Sequence, residues 1–145
     1  MRPRFENHSK NCAEWSLHRR RSVERKGDEL RRRATAFTIR TLQFVKTLPG
    51  DIASRTVAQQ LARSGASVSA NYHAAGRARS RREFVARLGI VLEEADETEH
   101  WLGVLDDGHF ASSAELSDLR REARELRAIF RAALTTARAN LHPAP

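Results

Sequence analysis

Residues Leu61–Phe84 read LARSGASVSANYHAAGRARSRREF, and their first half is crowded with Ser, Gly and Asn, residues that weaken helices. Yet Leu61, Ser64, Val68, Asn71 and Ala75 fall at steps of three or four, the spacing of one helical face. Small residues on that face let a neighbouring helix backbone approach more closely than leucine would permit. Ser64, Gly65, Ser67 and Ser69 are the residues expected to make this approach. A buried Asn71 needs a hydrogen-bond partner, expected across the bundle, where such a group fixes register.

The same period extends in both directions. Leu30, Ala34, Phe37, Thr41, Phe44 and Leu48 form one seam. Phe84, Leu88, Val91, Ala95, Thr98, Leu102 and Leu105 form another, and Leu116, Leu119, Ala123, Leu126, Phe130, Ala133 and Ala137 a last. A mean step near 3.5 is the seam of helices packed at shallow angles. The expected fold is all-α, an antiparallel up-down-up-down four-helix bundle with helices at about 28–48, 52–76, 80–106 and 112–140. Pro49-Gly50 and Asp107-Gly108 stop helices. Ser80-Arg81-Arg82-Glu83 and Ser112-Ser113-Ala114-Glu115 are capping-box patterns that start them.

At 145 residues, 40% hydrophobic and 30% charged, the composition is that of one globular domain. No apolar run reaches the roughly 18–20 residues of a membrane span, and the N-terminus lacks the apolar stretch of a secretory signal. The lone Cys12 excludes an intramolecular disulfide and a cysteine-rich zinc site. A cytoplasmic protein is expected. Of the net charge of +8, residues 1–33 hold eleven Lys/Arg against five Asp/Glu, leaving only +2 for the rest. Residues 1–26 are expected to be a disordered basic extension, a nucleic-acid-binding tail or a segment ahead of a true start nearer Val23. Residues 27–141 are expected to form the bundle, and 142–145 a tail.

Several strings in the middle of the chain carry a resemblance: Gln60-Leu61, Arg63-Ser64, Ser67-Val68, Ala70-Asn71-Tyr72, Arg77-Ala78-Arg79-Ser80, Leu88-Gly89-Ile90, Glu93-Glu94-Ala95-Asp96-Glu97 and Trp101-Leu102. Together they resemble the four-helix bundle family encoded within intervening sequences of bacterial 23S ribosomal RNA, over roughly Leu30 to Asn140. The resemblance implies a homopentameric ring. It also implies similarity to the accessory variability determinant proteins of diversity-generating retroelements, basic bundles that bind a reverse transcriptase and nucleic acid. Arg63, Ser64, Ser67, Asn71, Tyr72, Glu94, Glu97 and Trp101 are the signature residues expected to serve helix packing and assembly.

Arginine placement is the chain's own evidence on nucleic acid. Arg77, Arg79, Arg81 and Arg82 cluster before the third helix, and Arg120, Arg124, Arg127 and Arg131 make a stripe on the fourth, with Arg121 beside it. Guanidinium forks match phosphates, and each neutralised phosphate releases counterions. Binding to RNA or DNA through these nine arginines is expected to be backbone-directed, since aromatics for base stacking are scarce. The opposing expectation is a protein-interaction scaffold, with Asp118, Glu122 and Glu125 pairing the fourth-helix arginines and the Glu93–Glu97 face meeting the Arg77–Arg82 cluster between subunits.

Catalysis has little to stand on. Glu97-x-x-His100 has the spacing of a carboxylate-bridged di-iron site, but no second Glu-x-x-His is present. A phosphate-cradling Gly-rich loop and a nucleophile elbow are both missing. No enzyme, metal or cofactor is expected.

Overall fold

The computed structural model describes residues 7–141, with side chains from Ser16 onward. Among the described residues there are four helices and no strands: α1 (Asn7–Val45), α2 (Ile52–Ala75), α3 (Arg81–Asp107) and α4 (Ala114–Ala139). None is long and apolar enough to cross a membrane. The chain divides into two units between Arg32 and Arg33.

In the first unit, α1 reaches back to Asn7, where no regular structure was expected before residue 27. From Asn7 to Lys26 there is no Pro or Gly, and Arg, Lys, Glu and Leu are good helix formers. Within this unit Arg31 pairs with Asp28, and Arg25 Nε donates to the Arg21 carbonyl at 3.3 Å. Leu17 and Val23 are exposed. Residues 1–6 and 142–145, the ends of the expected tails, lie outside the described residues, as does the Cys12 side chain.

The second unit is the bundle. Thr35 meets His73 and Thr38 meets Ser69, so α1 and α2 run antiparallel. Asp106 meets Arg120 and Asp96 meets Arg127, which makes α3 antiparallel to α4. Arg33 meets Glu122 and Arg40 meets Glu115, closing α4 antiparallel onto α1. These pairings give the up-down-up-down order.

The expected seams are the core except at their ends. Ala34, Phe37, Thr41 and Phe44 of α1 are buried, as are Leu88 through Leu105 of α3 and Leu116 through Phe130 of α4. On α4 the last buried position is Leu134, a step of four from Phe130, while Ala133 is half-covered. Phe84 and Ala137, at the ends of their seams, are also only half-covered.

Helix ends follow local chemistry, sometimes one residue away from expectation. The Ser80 hydroxyl accepts from the Glu83 N–H as a capping box predicts. At α4 the cap is Ser113, accepting from Leu116 N–H, and not Ser112. Its Glu115 reaches Arg40 on α1 instead of closing a box. α1 stops at Val45, three residues before Leu48, because Thr47 Oγ1 donates to the Phe44 carbonyl at 2.7 Å and a turn forms ahead of Pro49. Gly108 ends α3 with φ −83°, and a Cβ there would lie 2.6 Å from the Phe110 ring. His109 takes the left-handed conformation at φ 55°.

The small face of α2 is turned onto α1. Ser64, Gly65 and Ser69 are buried there. Thr38 Oγ1 donates to the Gly65 carbonyl at 2.6 Å and stands 2.9 Å from Ser69 Oγ. A Cβ at Gly65 would lie 2.8 Å from Thr41 Cγ2, a contact closer than real methyl groups make. Thr41 is fully buried with its hydroxyl on the Phe37 carbonyl, so it has little room to yield. Gly65→Ala is therefore expected to destabilise the bundle by about 1–3 kcal/mol through overpacking, against a gain in helix propensity of at most about 1 kcal/mol. Adding Thr41→Ser, which deletes the clashing methyl, is expected to recover part of that loss. Urea unfolding of both variants measures it, and a Gly65→Ala protein as stable as the parent would refute the close-contact account.

Candidate nucleic-acid interface

The nine arginines singled out in the sequence fall into two groups. Arg120 Nη1 bonds Asp106 at 2.7 Å and Asp107 at 3.0 Å. Arg124 reaches Glu99 at 3.2 Å, and Arg127 holds both Asp96 and Glu99 at 2.8 Å. Arg121 pairs with Asp118 on its own helix at 2.8 Å. Antiparallel packing causes this. Asp96, Glu99 and Asp106 follow one another along α3 in the reverse of the order in which Arg127, Arg124 and Arg120 follow along α4, and the long arginine side chains span the differences in spacing. Gly103, between them, leaves room for Arg120, whose Nη2 lies 3.4 Å from where a Cβ would be. The carboxylates of Asp106 and Asp107 raise the Arg120 pKa, and Asp96 with Glu99 does the same for Arg127.

Glu122 and Glu125, expected to pair with α4 arginines one turn away, do not. Both take Arg33 of α1, with Nε 2.6 Å from Glu122, and their bonds raise its pKa. An arginine on a facing helix offers its whole fork, and Nε and Nη2 together grip both Glu122 oxygens.

The other group keeps its charge uncompensated. Arg77, Arg79, Arg81 and Arg82 are exposed, and none has a carboxylate partner among the described residues. Glu83, the single carboxylate between Gly76 and Leu92, is already engaged. It accepts from the Arg79 backbone N–H at 2.8 Å and from Arg87 at 3.1 Å, which together hold its pKa below the usual range. Because α4 runs antiparallel to α3, its C-terminal part arrives at this same end, with exposed Arg131 and Arg138 also lacking a carboxylate among the described residues. Between the two helix ends lies a groove of about 440 Å³ lined by Arg81, Phe84, Val85, Ala137 and Asn140. Arg138 continues the basic stripe of α4 two turns on, whereas Asn140 was not singled out in the sequence. The signal was there, since antiparallel order places the end of α4 beside the start of α3.

The residues expected to serve packing and assembly occupy a different face. Arg63 of α2 binds Glu97 and stands 3.5 Å from Glu94, and Trp101 Nε1 donates to Glu97 at 3.3 Å. Hydrogen bonding from Arg63 lowers the Glu97 pKa, whereas burial raises that of Glu94. Glu94 Oε2 is buried without a hydrogen bond. Ser64 is in the core, and the half-covered Ser67 lends its carbonyl to Asn71 Nδ2 at 2.9 Å. Asn71 therefore bonds its own helix and not a partner across the bundle, because the carbonyl one turn back is already within reach. Tyr72 packs its ring on Phe130, centroids 5.2 Å apart. Glu93 is exposed, and within one chain the Arg77–Arg82 cluster meets none of the Glu93–Glu97 carboxylates. His100 lies against the Trp101 ring at 5.0 Å. Among the described residues no three His, Cys, Asp or Glu side chains stand together as a metal site.

This arrangement has known relatives. A crystal structure of a protein of unknown function from the S23 ribosomal protein family of Bacteroides thetaiotaomicron superimposes with a TM-score of 0.69. The two sequences are 26% identical, over 76% of this chain and 98% of that one. No match was found among curated proteins. Residues 28–132, nearly the whole bundle, match the family model described as the 23S rRNA-intervening sequence protein. With most of its length inside that match and its four helices in the corresponding fold, the chain belongs to the 23S rRNA-intervening sequence protein family.

Proposed function

We propose that this chain is a non-enzymatic, cytoplasmic, homo-oligomeric bundle that associates with RNA or DNA through phosphate contacts at the end where α2 passes into α3. A homopentamer is the assembly that family resemblance favours, and a reverse transcriptase is the protein partner it suggests. The observation that carries the nucleic-acid reading is the division of the arginines. Arg120, Arg121, Arg124 and Arg127 are neutralised by carboxylates, whereas Arg77, Arg79, Arg81, Arg82 and Arg131 meet none among the described residues. Repetition of that end around a ring multiplies its charge and gives avidity to contacts that are individually weak.

Labelled RNA and DNA titrated across a salt series test this reading. The Arg77→Ala, Arg79→Ala, Arg81→Ala, Arg82→Ala variant is expected to bind at least tenfold more weakly at low salt. Its slope of log affinity against log salt should be shallower by about 3, at roughly 0.7–0.9 for each phosphate left unneutralised. Replacing Arg120, Arg124 and Arg127 by Ala is expected to lower the unfolding midpoint while leaving the salt slope nearly unchanged. Parent protein without affinity at low salt would end the nucleic-acid reading.

A second reading, an assembly scaffold, is favoured by the Arg63, Glu94, Glu97 and Trp101 face. There a half-covered indole and a buried carboxylate oxygen without a hydrogen bond lie beside one guanidinium. A subunit docked on that face covers the indole and shields the Arg63–Glu97 pair from water. Because the Glu97 pKa is lowered in the fold, its contribution is present above the ordinary carboxylate value of 4.5 and is lost as pH falls through the lowered one. Trp101→Ala and Arg63→Gln are expected to reduce the mass found by light scattering at pH 7, and the parent assembly to loosen as pH falls below the ordinary carboxylate range. Unchanged mass in both variants would move the assembly surface elsewhere.

A further inference from the structure

We propose that the groove between the start of α3 and the end of α4 seats one unpaired base of a single-stranded nucleic acid, with the ring of Phe84 as its floor and the Asn140 amide at its edge. The inference rests on the nucleic-acid reading above and adds to it a contact with a base, where phosphate contacts alone were expected.

Phe84 is the first position of the α3 seam, and every later seam position from Leu88 to Leu105 is buried. Phe84 is only half-covered because the end of α4 offers it Ala137, a residue too small to reach across, and α4 stops at Ala139. Part of an aromatic side chain is thus left uncovered beside a groove whose other apolar members are Val85 and Ala137. The rim is polar, formed by Arg81 and Asn140. Asn140 caps α4 through its backbone N–H, and its side-chain amide, a donor and an acceptor together, has no partner among the described residues.

The surroundings select the occupant. Arg81 lines the groove, and Arg79, Arg82 and Arg138, close to its lining residues in sequence, are exposed without a carboxylate partner among the described residues, which suits an anionic ligand. An open aromatic ring suits a flat apolar group, and a carboxamide suits a base edge that both donates and accepts. A nucleotide has all three properties, and stacking on an aromatic needs a base freed from its duplex. At about 440 Å³ the groove falls within the size range of small-ligand sites.

The test compares eight-nucleotide single strands of uridine or adenosine with an RNA duplex of equal length, at fixed salt, on parent protein and variants of matched helicity and mass. Phe84→Leu keeps an apolar side chain and removes the stacking ring. Ala137→Leu fills the groove and leaves Phe84 in place, so agreement between the two separates stacking from a packing defect. Each is expected to weaken single-strand binding about 5- to 100-fold, with duplex binding and the salt slope unchanged. Asn140→Ala is expected to alter the ratio of uridine to adenosine affinities. If both Phe84→Leu and Ala137→Leu bind single strands within twofold of the parent while the four-arginine variant does not, the base seat is overturned and the phosphate reading stands. If the parent binds no strand at low salt, both fall.

Discussion

The bundle depends on how near α1 comes to α2. Gly65 has no side chain, Thr41 presses its methyl into the space this leaves, and Thr38 bonds the Gly65 carbonyl. A Cβ at 65 would lie 2.8 Å from the Thr41 methyl, so a larger residue there forces Thr41 or the helix to move away from the position that brings Thr38 onto the carbonyl. The contact also explains why α2 carries so many weak helix formers. Serine and glycine cost a helix a fraction of a kcal/mol each, roughly 1 kcal/mol for glycine, and close approach with a satisfied hydroxyl network offsets that cost.

Once α1 is drawn in, the remaining contacts are determined by helix order. α1 lies beside both α2 and α4, so Arg33 and Arg40 reach Glu122 and Glu115 across the α1–α4 seam. α3 and α4, joined by a short turn, run antiparallel along a shared edge, and the α4 arginines meet the α3 carboxylates there. Such surface pairs, some exposed and some part-buried, contribute little individually where water reaches them, on the order of 0–1 kcal/mol. Their larger effect is on what remains, since charges paired along the sides withdraw those sides from long-range attraction of anions and leave the end beside Arg77–Arg82 to supply it.

The core was legible in the sequence because burial repeats with the helical period. Leu61, Val68, Leu88, Leu102, Leu119 and Leu126 each fall on a seam, and each is buried. The helix starts at Ser80 and Ile52 were legible for a similar reason, since caps and prolines act within one turn of the chain. What could not be read locally was partner choice. Glu122 lies one turn from α4 arginines but bonds Arg33, 89 positions away, because a facing helix presents a guanidinium end-on. Asn71 erred in the opposite direction, since a distant partner was expected and the nearest carbonyl of its own helix took it. Propensity and pattern also differ at the N-terminus. Residues 7–26 lack a seam, and the lack of Pro or Gly among good helix formers was enough to carry α1 through them.

The distribution of charge has a geometric cause. An arginine in the middle of a helix faces another helix along its length and meets a carboxylate wherever the two spacings agree. An arginine in the α2–α3 connection faces no helix, and its one nearby carboxylate, Glu83, is taken by the cap it forms with the Arg79 N–H and by Arg87. Helix ends are also where seams run out, which is why Phe84 and Ala137 are incompletely covered. Free cations and an open aromatic ring therefore coincide at one end of the bundle as a consequence of how helices terminate. The same termini that weaken the core there bring positive charge without carboxylate partners among the described residues beside a groove that holds a partly uncovered aromatic side chain.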